Sequence, residues 1–105
     1  MKKYLVAILP ILMLSSNVFA ALSYSEKKAL VVEKRKDVKD MTKEEVTAKH
    51  IELFEVVKAE PTEQNCNAVG VFYTAALKEK KIELMDMEAQ NRDLKAVRVC
   101  NGIKW

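Results

Sequence analysis

Apolar residues recur at helical spacing along most of the chain after residue 22, and this pattern predicts helices rather than strands. The first predicted helix begins at Ser23 or Ser25 and fades between residues 37 and 40. A second and a third helix each carry one apolar face, and a last segment again shows helical spacing. The members of these faces are Val46, Leu53, Phe54 and Val57, then Cys66, Val69, Phe72, Tyr73, Ala76 and Leu77, and finally Leu84, Met87, Leu94 and Val97.

Local signals mark where these helices begin and end. Thr42 and Glu45 have the spacing of a capping box, in which each side chain bonds to the other residue's backbone amide at a helix start. Pro61 disfavours helix at Glu60, so the second helix ends just before that residue. The third helix then begins with Pro61 as its first residue or with Thr62 as its cap.

Two glycines interrupt the pattern. Gly70 lies inside the third helix, where glycine costs about 1 kcal/mol relative to Ala, and we expect it to admit a neighbouring helix at short range. Asn101-Gly102 is either a helix stop with Gly102 left-handed or the turn of a hairpin that pairs residues 97–100 with 103–105. The helix stop is favoured, because short two-stranded hairpins are marginal in water.

Residues 1–20 have the layout of a secretory signal peptide. Two lysines precede an apolar run at residues 4–14, then three polar residues, and the segment ends at Ala20, after which we predict cleavage. The alternative is an uncleaved anchor that extends to Leu22, but Pro10 and the polar residues interrupt it. A short signal with two lysines is typical of bacterial or phage proteins, so the periplasm, or secretion, is the predicted destination. Residues 21–105 then form a single small helical domain.

The predicted mature chain is close to electrically neutral. Removal of Lys2 and Lys3 from the total of 18 Lys+Arg leaves 16 basic residues against 15 acidic ones. This balance gives no general affinity for nucleic acid or anionic lipid, so we expect no nucleic-acid partner and no stable membrane insertion after cleavage. Two Gly and two Pro are too few for a turn-rich β sandwich, and the abundant Ala, Leu, Glu and Lys favour helix.

Cys66 and Cys100 are the only cysteines. In an exported chain an even number of cysteines is typical of structural disulfides. A single straight helix would separate the two by about 50 Å, whereas a disulfide requires Cα atoms within roughly 7 Å. The bond therefore predicts a reversal among Lys80 to Asp86, with Asp86 as the cap of the last helix. A redox or catalytic pair is the weaker alternative, because the chain has no Cys-x-x-Cys spacing.

No set of residues predicts catalysis. His50, the only histidine, lies on the apolar stripe of the second helix, so we expect a partly buried structural residue, with a pH sensor as the sharper alternative. A metal site would need more His or Cys ligands than the chain offers. A catalytic triad would have to use Ser23 or Ser25 near the start of the mature chain. The paired carboxylates and basic runs fit solvated helix faces. We therefore expect no enzyme activity, no metal and no cofactor.

Four apolar residues cluster near the predicted reversal, at Ile82, Leu84, Met85 and Met87. Packing in the core is the default interpretation. An exposed docking surface that uses Met85 and Met87 is the alternative, because Met side chains adapt to varied partners. Trp105 either packs under the bundle or contacts a partner, since Trp is enriched at binding hot spots.

The sequence therefore predicts an all-α exported domain of three to four helices, whose C-terminal helical hairpin is stapled by Cys66–Cys100. The favoured function is a protein-binding module that inhibits, protects or assists another envelope protein, with a homodimer as a further option. One alternative is a stress chaperone that loosens in acid, because protonation of 15 carboxylates leaves a strongly cationic chain. The other is a membrane-tethered accessory protein that keeps its N-terminal segment.

Overall fold

The computed structural model describes residues 23–102, which form four α-helices and no strand. The helices are α1 (Tyr24–Lys39), α2 (Lys43–Ala59), α3 (Glu63–Lys78) and α4 (Met87–Cys100). The central helix is α3, which packs against each of the other three, and α2 also packs against α4. The prediction of an all-α bundle is confirmed. The predicted signal peptide and Trp105 lie outside the described residues.

A side-chain cap starts each helix. The four caps are Ser23, Thr42, Thr62 and Asp86. At the start of α2, the Glu45 carboxylate accepts from the Thr42 amide at 2.8 Å, and the Thr42 hydroxyl accepts from the Glu45 amide at 3.1 Å. Such caps satisfy backbone N–H groups that have no partner within the helix. The predicted capping box at Thr42 is therefore confirmed, and Thr62 rather than Pro61 begins α3.

The reversal between α3 and α4 contains neither glycine nor proline. Lys80 has a φ of 59°, in the left-handed region that favours glycine. Its amide donates to the carbonyl of Leu77 at 3.1 Å, and the amide of Lys81 donates to the carbonyl of Ala76 at 2.9 Å. These two bonds form a Schellman motif, the usual way in which a helix ends at a left-handed residue. Lys80 thus adopts the left-handed conformation that glycine takes most readily, because the reversal contains no glycine.

The disulfide joins the start of α3 to the end of α4. Cys66 and Cys100 are bonded, with their Cα atoms 6.0 Å apart. The reversal falls within residues 79–86 and the Asp86 side chain accepts from the Ala89 amide, as predicted. Gly102 has a φ of 75° and its amide donates to the carbonyl of Val99 at 3.0 Å. The helix stop is therefore confirmed, and the hairpin alternative is wrong because residues 97–100 are helical.

Buried side chains form two clusters around α3. The first, which we call the apolar core, comprises Val31, Val38, Val46, Phe72, Ala75, Ala76, Ile82 and Ala89. The second, which we call the disulfide cluster, comprises Phe54, Val57, Val69 and Ala96, with Cys66 and Cys100 packed against it. An ion pair also joins α1 to the end of α3, where Arg35 Nε donates to the Glu79 carboxylate at 2.7 Å.

The expectation that Gly70 admits a close helix is wrong. A Cβ placed on Gly70 would have no atom of a neighbouring helix within 4 Å. A pocket of about 300 Å³ lies at this point between α3 and α4, and Gly70, Ala96 and Val97 are among its lining residues. The neighbouring helix therefore approaches Gly70 loosely.

Candidate functional site

A fully buried histidine occupies the junction of three helices. His50 of α2 has 0 % of its surface exposed. Its ring stacks on Tyr73 of α3, with centroids 5.0 Å apart and planes 15° apart. From α4, Arg92 Nε donates a hydrogen bond to His50 Nδ1 at 3.2 Å. The predicted burial of His50 is confirmed, and it is complete rather than partial. Whether His50 senses pH stays a prediction.

The hydrogen bond from Arg92 fixes the protonation of the imidazole. Nδ1 accepts this bond, so the proton of the neutral ring resides on Nε2. Within residues 23–102, the buried Nε2 has no hydrogen-bond partner. The pKa of His50 is lowered to about 4, mainly by burial and also by the positive charge of Arg92, while the carboxylate of Asp86 partly opposes both effects. His50 is thus neutral near pH 7, and its protonation would set two donors against each other at Nδ1.

The groups around His50 also respond to burial. Burial and the nearby carboxylates of Asp93 and Asp86 raise the pKa of Tyr73, while Arg92 opposes that shift. Burial raises the pKa of Asp93 as well. Within residues 23–102 no group of three or more His, Cys, Asp or Glu side chains is arranged to hold a metal ion. The cluster combines one neutral imidazole with an arginine, a phenol and two carboxylates.

A second feature is an open groove of about 660 Å³ that α1, α2 and α3 line together. Its apolar lining residues are Leu30, Met41, Leu53, Ala68, Val71 and Phe72. Lysine and acidic residues of α1 also line it, and they are paired with one another along the helix. Lys34 Nζ lies 3.5 Å from an Asp37 carboxylate oxygen, and Lys36 Nζ lies 3.4 Å from one of Glu33. The groove is therefore mainly apolar, with charges that largely cancel.

A third feature is the apolar surface of the reversal and α4. The default prediction of core packing is confirmed for Ile82 and is wrong for Leu84, Met85 and Met87, which are exposed. Met85 is 75 % exposed and Met87 60 %. Whether they contact a partner stays a prediction, as it does for Trp105.

Sequence reasoning found some members of the site and missed others. It placed His50 on a buried stripe and treated Tyr73 as a core residue. It missed their stacking and the role of Arg92, because His50 and Arg92 are 42 positions apart in the sequence and leave no local spacing signal. The groove was also missed, since it depends on how α1 and α2 sit on α3.

Comparison with known proteins finds no matching family model, no matching curated protein and no matching solved structure. Among the helices of residues 23–102, none combines the length and the apolar character that crossing a bilayer requires. Neither finding assigns a function.

Proposed function

We propose that this protein is an exported helical module that binds another protein of the cell envelope, as its inhibitor, protective partner or accessory factor. The observation that carries this proposal is the open groove between α1 and α2, with its apolar lining. An exposed apolar surface that is rimmed by polar residues is a feature of protein interaction sites.

The shape of the groove favours a helical segment as the bound element. The lining residues of α1 run from Leu30 to Asp37 and those of α3 from Gln64 to Phe72, so the groove extends along each helix for about 10–12 Å. An amphipathic helix can lay its apolar face in such a groove, with anchor side chains three, four and seven residues apart. Leu30 on α1 and Leu53 on α2 supply apolar side chains on the two sides, and Val71 of α3 supplies one between them.

The charges of the groove favour protein over a polyanion. Each groove lysine of α1 has an acidic residue within 4 Å, and Lys49 of α2 is paired with Glu52 at 3.4 Å. A surface without excess positive charge offers little attraction to nucleic acid or anionic lipid. Apolar contact therefore supplies the affinity, and the paired charges at its border supply specificity.

The test is site-specific photocrosslinking in the organism that produces the protein. A photoreactive residue in place of Ala68 lies in the groove, whereas one in place of Ala48 lies on an exposed part of α2 away from it. We expect a discrete crosslinked partner from position 68 and none from position 48. Equal crosslinking at both positions, or none at either, contradicts the proposal.

Matched variants of α1 give the second readout. Leu30 lines the groove, and Val32 is exposed on the other side of the same helix. We expect Leu30→Asp to weaken binding of the captured partner about tenfold or more, and Val32→Asp to leave it unchanged. Equal losses in the two variants would place the partner elsewhere on the surface.

A second candidate function is a chaperone that loosens in acid, and the burial of His50 against Arg92 favours it. Protonation of His50 would break its contact with Arg92 and loosen α4. At pH 3 we expect the protein to bind an apolar dye and to prevent aggregation of an acid-sensitive client. Unchanged dye binding and compactness between pH 7 and pH 3 would exclude this function and leave the binding module intact.

A further inference from the structure

The disulfide lies at the edge of an open pocket. Cys66 and Cys100 are both partly exposed, and both line the pocket of about 300 Å³ between α3 and α4. Gly70 and Val97 line the same pocket, and Gly70 leaves room there because it has no side chain. A pocket of this size is at the lower limit of those that bind small molecules. The bond is thus next to a space that a small reagent can enter while the protein stays folded.

We propose that this disulfide is a redox-sensitive latch, which a small thiol opens by entering the pocket and attacking the bond in the folded protein. Structural disulfides of secreted proteins generally resist reduction, whereas exposed ones are the labile and regulatory ones. The bond responds to its surroundings and is not a catalytic pair. The latch does not depend on the groove of the proposed function, which lies among α1, α2 and α3.

Opening of the latch consumes two thiols for each disulfide. The thiolate of the first attacks one protein sulfur, so that a mixed disulfide forms and the other cysteine leaves as a thiolate. The thiolate of the second attacks the reagent sulfur of the mixed disulfide and releases the remaining cysteine. The two reagent sulfurs end bonded to each other. The protein disulfide thus gains two electrons from the two thiols, whose protons pass to Cys66 and Cys100.

Helix α4 has few other attachments within residues 23–102 once the bond is broken. Its buried residues are Ala89 and Ala96, and the partly buried Val99 packs against the disulfide cluster. Arg92 adds the hydrogen bond to His50. With 14 residues, α4 is marginal as an isolated helix in water. We therefore expect reduction to let α4 open from its C-terminal end, where Cys100 was held.

Opening of α4 exposes surface that the closed form buries. Phe54, Val57 and Val69 share the disulfide cluster with Ala96 of α4. The first two belong to α2 and the third to α3, so they stay in place when α4 leaves. Reduction therefore creates an apolar face that the oxidised protein lacks. Oxidation restores the bond when α4 returns, since the folded arrangement holds the two cysteine Cα atoms 6.0 Å apart.

The first experiment measures how fast dithiothreitol reduces the purified, disulfide-bonded protein, with the thiols trapped by alkylation and counted by mass spectrometry. We expect a rate that is proportional to the thiol concentration and almost unchanged by urea below the unfolding transition. Reduction that required global unfolding would instead accelerate about fivefold or more for each molar step in urea. Such an acceleration overturns the proposal.

Variants that fill the pocket test the route of attack. Gly70→Leu places a side chain in the pocket and should slow reduction several-fold. Ala68→Leu is the matched control, since Ala68 lies on the same helix and lines the groove instead, and it should leave the rate unchanged. Val97→Trp fills the pocket from α4 at a position that is 48 % exposed. Circular dichroism establishes that each variant is folded. Equal rates in the parent and the folded pocket variants overturn the proposal.

The second experiment reads the response of α4 in excess thiol at neutral pH. Hydrogen exchange should show that the amides of α4 lose protection while those of α1 keep it, because α4 opens locally. The reduced protein should also bind more of an apolar dye than the oxidised protein does. Replacement of the thiol by glutathione disulfide should reverse both changes. Unchanged protection of α4, or unchanged dye binding, overturns the proposal, because the bond would then hold nothing closed.

Discussion

Helices α1 and α4 both pack against α3, but different interactions attach them. Helix α1 buries the branched side chains of Val31 and Val38 in the apolar core. Full burial of a valine contributes about 1.5 kcal/mol or more. The ion pair from Arg35 to Glu79 adds a second link between α1 and the end of α3. The attachment of α1 thus rests mainly on apolar contact.

Helix α4 buries much less apolar surface. Its two buried residues are Ala89 and Ala96, and alanine has a single side-chain carbon to remove from water. Val99 adds partly buried packing against the disulfide cluster. The other attachments of α4 are the disulfide and the hydrogen bond from Arg92 to His50. The first is broken by reductant and the second by acid, whereas apolar packing responds to neither. Chemical conditions can therefore loosen α4 while α1 stays in place.

The largest expected effect comes from Phe72→Ala, which removes a buried ring from the apolar core that α1 shares. Large-to-small changes of a buried phenylalanine cost about 3–5 kcal/mol, because transfer energy is lost and a cavity remains. We expect the free energy of unfolding in urea to fall by this amount. The control is Tyr24→Ala on α1, an exposed aromatic whose removal should change stability by less than about 0.5 kcal/mol. A similar fall in the free energy of unfolding in both variants would mean that burial in the apolar core is not what stabilises the packing of α1 on α3.

Loss of the disulfide is expected to affect α4 above all. The bond joins residues separated by 34 positions, and closure of a loop of that length in the unfolded chain contributes about 3–4 kcal/mol. In the double variant Cys66→Ser, Cys100→Ser, we expect a loss of that size. The backbone amides of α4 in this variant should exchange with solvent faster than global unfolding alone would permit, because α4 opens locally.

The same experiment reports on α1 as an internal control. Its amides should exchange only through global unfolding, since its contacts with α3 do not involve the disulfide. If α1 and α4 lost protection to the same extent, the two helices would belong to one cooperative unit. Helix α4 would then not be the more loosely attached of the two.

Acid is expected to weaken the α4 side through His50. Its pKa is lowered from 6.5 to about 4 in the folded protein, so the unfolded chain binds more protons between these values. Stability should therefore be complete above pH 6.5 and fall as the pH drops toward 4, by about 3 kcal/mol in total. Urea unfolding measured across this range checks the sign and the size.

The contribution of His50 is separated from that of the carboxylates by His50→Gln, which has no group that titrates in this range. This variant should be less stable than the parent at pH 7, because stacking on Tyr73 is lost. Its stability should change much less between pH 6.5 and pH 5. If stability fell equally with pH in the parent and the variant, protonation of His50 would not be the cause of the loss of stability in acid.

Local and covalent signals made much of the fold predictable. The capping box at Thr42, the stop at Gly102 and the constraint from Cys66 and Cys100 each act over a few residues or through one bond. Such features do not depend on how the helices pack. The reversal followed from the disulfide alone, since its left-handed residue is Lys80 rather than a glycine.

The orientation of α4 was not predictable in the same way. Leu94 and Val97 have the spacing of a core face, yet alanines occupy the inner side and these two residues face outward. Periodicity identifies an apolar stripe but not what covers it. The contact between Arg92 and His50 was likewise hidden, because it joins residues distant in sequence whose types carry no shared motif.

The smallest expected effect tests how loosely α4 lies on α3. Gly70→Ala places a methyl group where no atom of a neighbouring helix lies within 4 Å, in the pocket between these helices. Since glycine inside a helix costs about 1 kcal/mol relative to alanine, the variant should be more stable by up to that amount in urea. The matched control is Gly102→Ala, whose φ of 75° strains any residue with a Cβ, so stability should fall by about 1 kcal/mol. A loss of stability in Gly70→Ala would mean that α4 packs closely at this point, and the difference between α1 and α4 would be smaller than argued.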